Sequence, residues 1–232
     1  MKALTLHAPP TVKERGILFS GAMVRALLAG KKTQTRRAMR TSHVGYHSFA
    51  RWDGEPYRRA MMRCLNDPGI ATGDPHLASV FCEDNRYGVP GDRLWVRETH
   101  APRYFDDGRP GYRADWTAPD GVPEPRWTPS LLMKRTDSRL TLAVESIRVE
   151  RAQDISDADI EAEGVDAEAV QSLWEAATLK RREEAWGAKL LTPPFAGLLP
   201  HRRWQTAWTL INGRASWDAN PWVWVVSFRR LP

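Results

Sequence analysis

The chain has 232 residues, 42% of them hydrophobic, and a formal net charge of +6 at pH 7. That is enough for one large domain with a proper core, and the positive excess favours polyanionic partners. Cys64 and Cys82 are its only cysteines, which excludes a disulfide framework and fits a reducing cytosol. No apolar stretch approaches the roughly 20 residues of a membrane span, so a soluble, cytoplasmic protein without a membrane partner is expected.

Residues 1–16 are a lead-in with Pro9-Pro10 and mixed charge. Gly16-Ile17-Leu18-Phe19 reads as a short strand. Ser20 then caps a helix whose apolar face is Met23, Val24, Leu27 and Leu28, and Gly30 stands where a left-handed C-terminal cap belongs. From Gly30 to Arg40, five of eleven positions are Lys or Arg, and no acid occurs between Glu14 and Asp53. This basic run begins at a helix C-terminus, where cations also suit the helix dipole. Lys31, Lys32, Thr33, Thr35, Arg36 and Arg37 crowd ammonium, hydroxyl and guanidinium groups together. Such a cluster suits a phosphate-bearing partner, and a Lys close to a Thr can do hydrolytic chemistry.

Residues 41–85 have no clean period and read as an irregular insertion. His43, His47, Cys64 and Cys82 fall inside it, at spacings that fit none of the usual paired zinc arrangements, so no metal is expected. Gly88 to Asp92 is a turn leading into Arg93-Leu94-Trp95-Val96-Arg97-Glu98, which alternates as a half-buried strand does. A Pro-, Gly- and Trp-rich loop follows from Ala101 to Pro129, with a short strand at Gly111 to Ala114.

Residues 139–150 are the clearest strand. Leu140, Leu142 and Val144 share one face while Ile147 and Val149 continue on the other parity, which predicts a bulge near Glu145-Ser146. Asp154 to Gly164 reads as a short helix capped by Ser156, with acids in its first turn and Gly164 ending it. Residues 166–187 form a charged helix and 188–200 a Pro-punctuated loop. A helix over about 201–211 places Trp204, Trp208 and Ile211 on one face. Ser216 to Pro221 is a turn, and Trp222 to Phe228 a closing strand. The eleven tryptophans suit core and rim packing, with a minority for base stacking. Strands separated by long, unequal segments predict an α+β fold, a small mixed barrel with helices at its ends rather than a doubly wound sheet.

Several of these pieces together resemble the ASCH family (activating signal cointegrator homology) of the PUA-like superfamily. They are Leu27 to Arg37, the run Gly91-Asp92-Arg93-Leu94-Trp95-Val96-Arg97-Glu98, the strand at 139–150, the helix ending at Gly164, and the Ser216 to Trp224 ending. The second run and the ending look like the long ASCH proteins of phages and prophages. The resemblance covers about 17–40, 86–100, 139–165 and 201–230. Residues at about 41–85, 101–130 and 166–200 fall outside it, as insertions in a single domain spanning 1–232.

The resemblance implies a PUA-like β-barrel with flanking helices, a cleft beside the helix-to-basic-strand junction, and RNA or a nucleoside- or nucleotide-derived ligand as partner. Some small members resemble amidohydrolases that remove the acetyl group of N4-acetylcytidine with a Lys, a Thr and a Glu. The Lys and Thr of their Gly-x-Lys-Thr-x-Thr motif fall on Lys32 and Thr35, and the Glu falls on Glu163. Lys31, Thr33, Arg36, Arg37 and Arg97 are then expected to contact ligand or phosphate; Arg36 and Arg37 are otherwise structural ion pairs, and Arg97 otherwise pairs with Glu98. No cofactor is expected. In chemical terms, like charge and burial disfavour the Lys32 ammonium, neutral Lys32 activates Thr35, and Glu163 serves as acid/base or orients Lys32. Two other functions fit the same cluster: a non-catalytic RNA- or DNA-binding module, and a ribonuclease.

Overall fold

A computed structural model describes residues 12–38, 86–117, 123–180 and 197–232. In chain order the strands are β1 (Glu14–Leu18), β2 (Gln34–Ala38), β3 (Arg93–Arg97), β4 (His100–Ala101), β5 (Gly111–Tyr112), β6 (Thr141–Arg151) and β7 (Trp222–Arg230). The helices are α1 (Gly21–Leu28), α2 (Asp157–Ala162), α3 (Ala167–Lys180), α4 (Pro200–Asn212) and α5 (Arg214–Asp218). β4 and β5 form a small hairpin; the other strands form one mixed sheet in the order β1-β3-β6-β7-β2. β1 and β3 run parallel, and the remaining neighbours are antiparallel.

The sheet has a helical layer on each side. β7 shows this directly, because successive side chains on a strand point to opposite faces. Its Trp224, Val226 and Phe228 join Ile17, Phe19, Val24 and Leu27 in the core under α1. Its Val223 and Val225 join Ile155, Ile160, Val170, Trp204 and Trp208 in a second core under α2, α3 and α4. In β6 the register slips between Val144 and Ser146, where the parity change predicts a bulge. The extra residue resets the alternation, so Leu142, Val144, Ile147 and Val149 all reach the first core.

The α+β class stands. Among the described residues no backbone ladder joins edge strand β1 to edge strand β2, so the sheet is open there and is not a closed barrel. Two finer expectations change. Ile211 is 45% exposed, because the buried face of α4 is Trp204, Ala207 and Trp208 and the last turn runs past the core. Of the segment expected as a turn from Ser216 to Pro221, the first three residues are the end of α5, begun by Gly213 at φ +87°, and only 219–221 make the turn. Helix α3 covers only the first part of the charged segment within the described residues.

Candidate functional site

The basic segment is fixed from two helix ends. Ser20 caps α1 by accepting the Met23 N–H at 3.4 Å, and Gly30 leaves the helix at φ +70°. The N–H groups of Lys31 and Lys32 then donate to the Ala26 carbonyl at 2.9 and 3.1 Å, and Thr33 N–H donates to the Ala162 carbonyl at 2.8 Å. α2 begins at Ser156, whose hydroxyl accepts the Asp159 N–H, and is left through Gly164 at φ +69°. A Cβ at Gly164 would stand 3.0 Å from the Ala26 Cβ and 3.2 Å from the Lys32 Cβ. Glycine is therefore what lets the end of α2 lie against the basic segment.

That approach brings Lys32 onto Glu163. Lys32 Nζ donates to Glu163 Oε2 at 2.7 Å and to the Glu163 carbonyl oxygen at 2.9 Å. The two side chains are 0% and 3% exposed. Burial pushes the Lys32 pKa below its ordinary value; Glu163 opposes this, while Arg37 and Arg36 add to it by like charge. Glu161, two residues earlier, points to solvent.

Alternation along β2 sends Gln34 and Arg36 to the α2 face and Thr35 and Arg37 to the other. Arg36 Nη1 donates to Gln34 Oε1 at 2.6 Å and lies 3.5 Å from Glu163 Oε1; Nη2 reaches Glu150 at 2.9 Å and Asp159 at 3.0 Å. Arg148 completes the set, with Nε on Glu150 and Nη2 on Asp159 at 2.9 Å. Lys32, Arg36 and Arg148 thus face Glu150, Asp159 and Glu163, one carboxylate for each cation, which is how charges survive inside a fold. Burial alone would raise the Asp159 pKa, but Arg148 and Arg36 outweigh it and hold the carboxyl below its ordinary range.

The other expected site residues are scattered around this pair. Thr35 is 1% exposed, and its hydroxyl makes no hydrogen bond among the described residues. Thr33 is exposed and uses its backbone, its carbonyl accepting the Phe228 N–H at 2.9 Å. Lys31 is exposed and pairs with Asp166 at 2.9 Å, on the rim of a cavity of about 100 Å³ between α1 and α3 that Lys32, Thr35 and Glu163 do not line. Arg37 reaches from β2 to the Leu18 carbonyl at the end of β1, with its guanidinium 5.1 Å from the Phe19 ring centre. Lys32 Nζ lies 5.6 Å from the same ring. The site therefore occupies a seam where the two sheet edges approach through side chains.

Arg97 donates to the Leu131 carbonyl and lies over Trp95. It does not pair with Glu98, which is buried and takes both Nε and Nη2 of Arg139, at 2.9 and 3.0 Å. His43, His47, Cys64 and Cys82 lie outside the described residues, and among those described no cluster has the make-up of a metal site.

Phe19, Gln34, Arg148, Glu150 and Asp159 belong to the site without having been singled out in the sequence. Arg148 and Glu150 carried a signal, since their i, i+2 spacing puts opposite charges on one face of a strand. Phe19 carried none beyond being an apolar strand end. Comparison of the chain with known protein families, with curated proteins and with solved structures gives no match.

Proposed function

We propose that the chain is an ASCH-type protein that takes RNA or a modified nucleoside into the β1/β2 seam and hydrolyses an N-acyl amide of the N4-acetylcytidine kind. The observation carrying this reading is the buried Lys32–Glu163 contact at 2.7 Å. A lysine whose ammonium form is disfavoured by burial is neutral, and therefore a base, at lower pH than an ordinary lysine.

In this reading neutral Lys32 takes the proton of the Thr35 hydroxyl, and the Thr35 oxygen bonds to the acyl carbon. The carbonyl electron pair moves onto its oxygen, where the Arg37 guanidinium stabilises the charge. The C–N bond then breaks, and the Lys32 ammonium gives its proton to the departing cytosine amine. Water attacks the Thr35 ester as neutral Lys32 takes one of its protons; Lys32 then gives that proton to the departing Thr35 oxygen, and the acyl group leaves as its acid. Glu163 orients Lys32 and balances its charge in both halves. Substrate reaches the pair by displacing Arg37 from the Leu18 carbonyl.

The test is to incubate the purified protein with N4-acetylcytidine and follow cytidine by chromatography. Wild-type turnover is expected, reduced by about 10²–10⁴-fold in Lys32→Met and in Thr35→Ala. No turnover by the wild type rejects the reading. The charge-balanced, closed packing of Lys32, Arg36 and Glu163 favours one other, a non-catalytic nucleic-acid-binding module. That protein would bind single-stranded RNA with an affinity falling linearly in log–log plots against salt and release no cytidine.

A further inference from the structure

Glu163 is shared between two cations. Its Oε2 and its backbone carbonyl accept from Lys32 Nζ at 2.7 and 2.9 Å, and its Oε1 lies 3.5 Å from Arg36 Nη1. An ammonium has three N–H donors, and a neutral amine keeps two of them. Lys32 can therefore give up one proton and still donate to both Glu163 acceptors. With those two bonds kept, the freed lone pair points away from Glu163.

What changes is the charge. Once Lys32 is neutral, the Glu163 carboxylate has lost its nearest cation in a dry interior, which is costly unless a second cation stays. Arg36 is that second cation, because a guanidinium keeps its proton throughout the working pH range. Its side chain is 0% exposed and is fixed by several partners at once. Gln34 Oε1 accepts from Nη1 at 2.6 Å, Glu150 and Asp159 accept from Nη2 at 2.9 and 3.0 Å, and the guanidinium lies 5.9 Å from the Trp204 ring centre. Arg148 holds the same two carboxylates. Asp159 and Glu163 stand one helical turn apart, so the acid that anchors Arg36 and the acid that Arg36 reaches share one side of α2.

We infer that Arg36 is a positioning residue for Lys32: anchored by Glu150 and Asp159, it holds the second oxygen of Glu163 and remains as its counter-charge when Lys32 gives up its proton. Arg36 itself touches no substrate. This inference rests on the reading of Lys32 as the base of the site and deepens it.

Electrostatics give the inference a sign. Burial is the largest cause holding the Lys32 pKa below its ordinary value; Glu163 opposes it, and Arg37 and Arg36 add to it. Those three charged groups and the Phe19 ring face Lys32 among the described residues, with Glu150, Asp159 and Arg148 behind Arg36. Removing Arg36 takes away a cation and leaves Glu150 and Asp159 less compensated, and both changes favour the Lys32 ammonium. Removing Asp159 takes away an acid and leaves the Arg36 charge less compensated, and both changes favour the neutral amine. Two substitutions in one ion cluster thus move Lys32 in opposite directions, which lost packing alone does not do.

The wild type, Arg36→Met, Arg36→Lys and Asp159→Asn are compared in two measurements. The Lys32 ammonium is titrated by NMR of isotope-labelled lysine, its signal identified by its absence in Lys32→Met. The pH dependence of kcat/KM is measured on N4-acetylcytidine, with circular dichroism reporting the fold. Arg36→Met is expected to move the Lys32 titration and the rising limb of kcat/KM up by about one pH unit or more. Below the wild-type midpoint it loses about 10-fold in kcat/KM, and at high pH it recovers. Asp159→Asn moves both midpoints down, and Arg36→Lys, which keeps the charge but loses the fork, stays nearer the wild type. If Arg36→Met does not fold, Asp159→Asn, whose native side chain is 22% exposed, decides by the direction of its shift. Turnover with midpoints unmoved, or moved the same way in Arg36→Met and Asp159→Asn, overturns the role of Arg36 and leaves the hydrolase reading standing. No wild-type turnover, with the Lys32 titration moved in opposite directions, rejects the amide substrate and keeps Arg36 as the positioning residue of a basic lysine. Neither turnover nor opposite shifts overturns both.

Discussion

Lys32 Nζ and Glu163 Oε2 meet at 2.7 Å across 131 residues of chain, with both side chains out of solvent. Two glycines at the ends of helices, Gly30 and Gly164, make the meeting possible. A buried pair of this kind is weak evidence for stability, because desolvating two charges offsets their attraction. In the proposed hydrolysis the same burial is what would make Lys32 available as a base.

Removing one partner leaves the other charged and uncompensated. Lys32→Met and Glu163→Leu are each expected to lose about 3–5 kcal/mol in urea denaturation. The double variant Lys32→Met/Glu163→Leu recovers most of that loss. Additive single losses would contradict the pairing.

Gly164→Ala strains a positive φ and sets a methyl against Ala26 and Lys32. A loss of about 1–2 kcal/mol is expected from backbone strain, together with lower turnover because Lys32 is displaced. Gly197→Ala, where nothing lies within 4 Å of the added Cβ and no positive φ applies, is the control and is expected to change neither.

Two acids near the β3 motif respond to pH in opposite directions. Burial would raise Asp92, but the Lys13 and Val89 N–H groups and Arg15 outweigh it and hold its carboxyl below the ordinary value. The unfolded chain then binds the proton more tightly. Stability from Asp92 is complete above its ordinary pKa of 3.8 and is lost as pH falls through the native value. Burial raises Glu98, against the pull of Arg139, so the folded chain binds that proton more tightly. Its contribution is complete below the ordinary 4.5 and declines as pH rises through the native value. Denaturation across the acid range is expected to show a shallower acid-side fall in Asp92→Asn, with Asp159 and other lowered carboxyls keeping the rest, and a steeper one in Glu98→Gln, which removes the opposing slope. Unchanged profiles would contradict these assignments.

Arg139 holds Glu98 and Asp115 together and lies 3.9 Å from the Tyr112 ring centre. Arg139→Met is expected to cost about 3–5 kcal/mol through the orphaned Glu98. Asp115→Asn, removing a half-exposed partner, is expected to cost under about 1 kcal/mol. Thermal unfolding of the two variants checks the contrast, and equal losses would contradict it.

The local grammar of the chain was legible. Ser20 and Gly30 bracket α1, Ser156 and Gly164 bracket α2, and the parity change at Glu145-Ser146 marks the register slip, because each depends on residues a few positions apart. Glu163 was reached through the family motif, since no local rule says which helix end a lysine 131 residues away will meet. The role of Arg36 was left open between ligand and ion pair. In the fold Arg36 pairs with Glu150 and Asp159, which β6 and α2 bring in from far along the chain. Ile211 was misplaced because a helical period continues on paper after the core it packs on has ended.

Covalent trapping tests the joint action of Lys32, Thr35 and Glu163 most directly. The protein is mixed with N4-acetylcytidine, quenched in acid during turnover and analysed by mass spectrometry of its peptides. One acetyl group on Thr35 is predicted in the wild type, absent in Thr35→Ala and Lys32→Met, with cytidine release lost in both variants. Cytidine released undiminished by Thr35→Ala, or by the wild type with no acetyl on Thr35 at any quench time, would contradict the account.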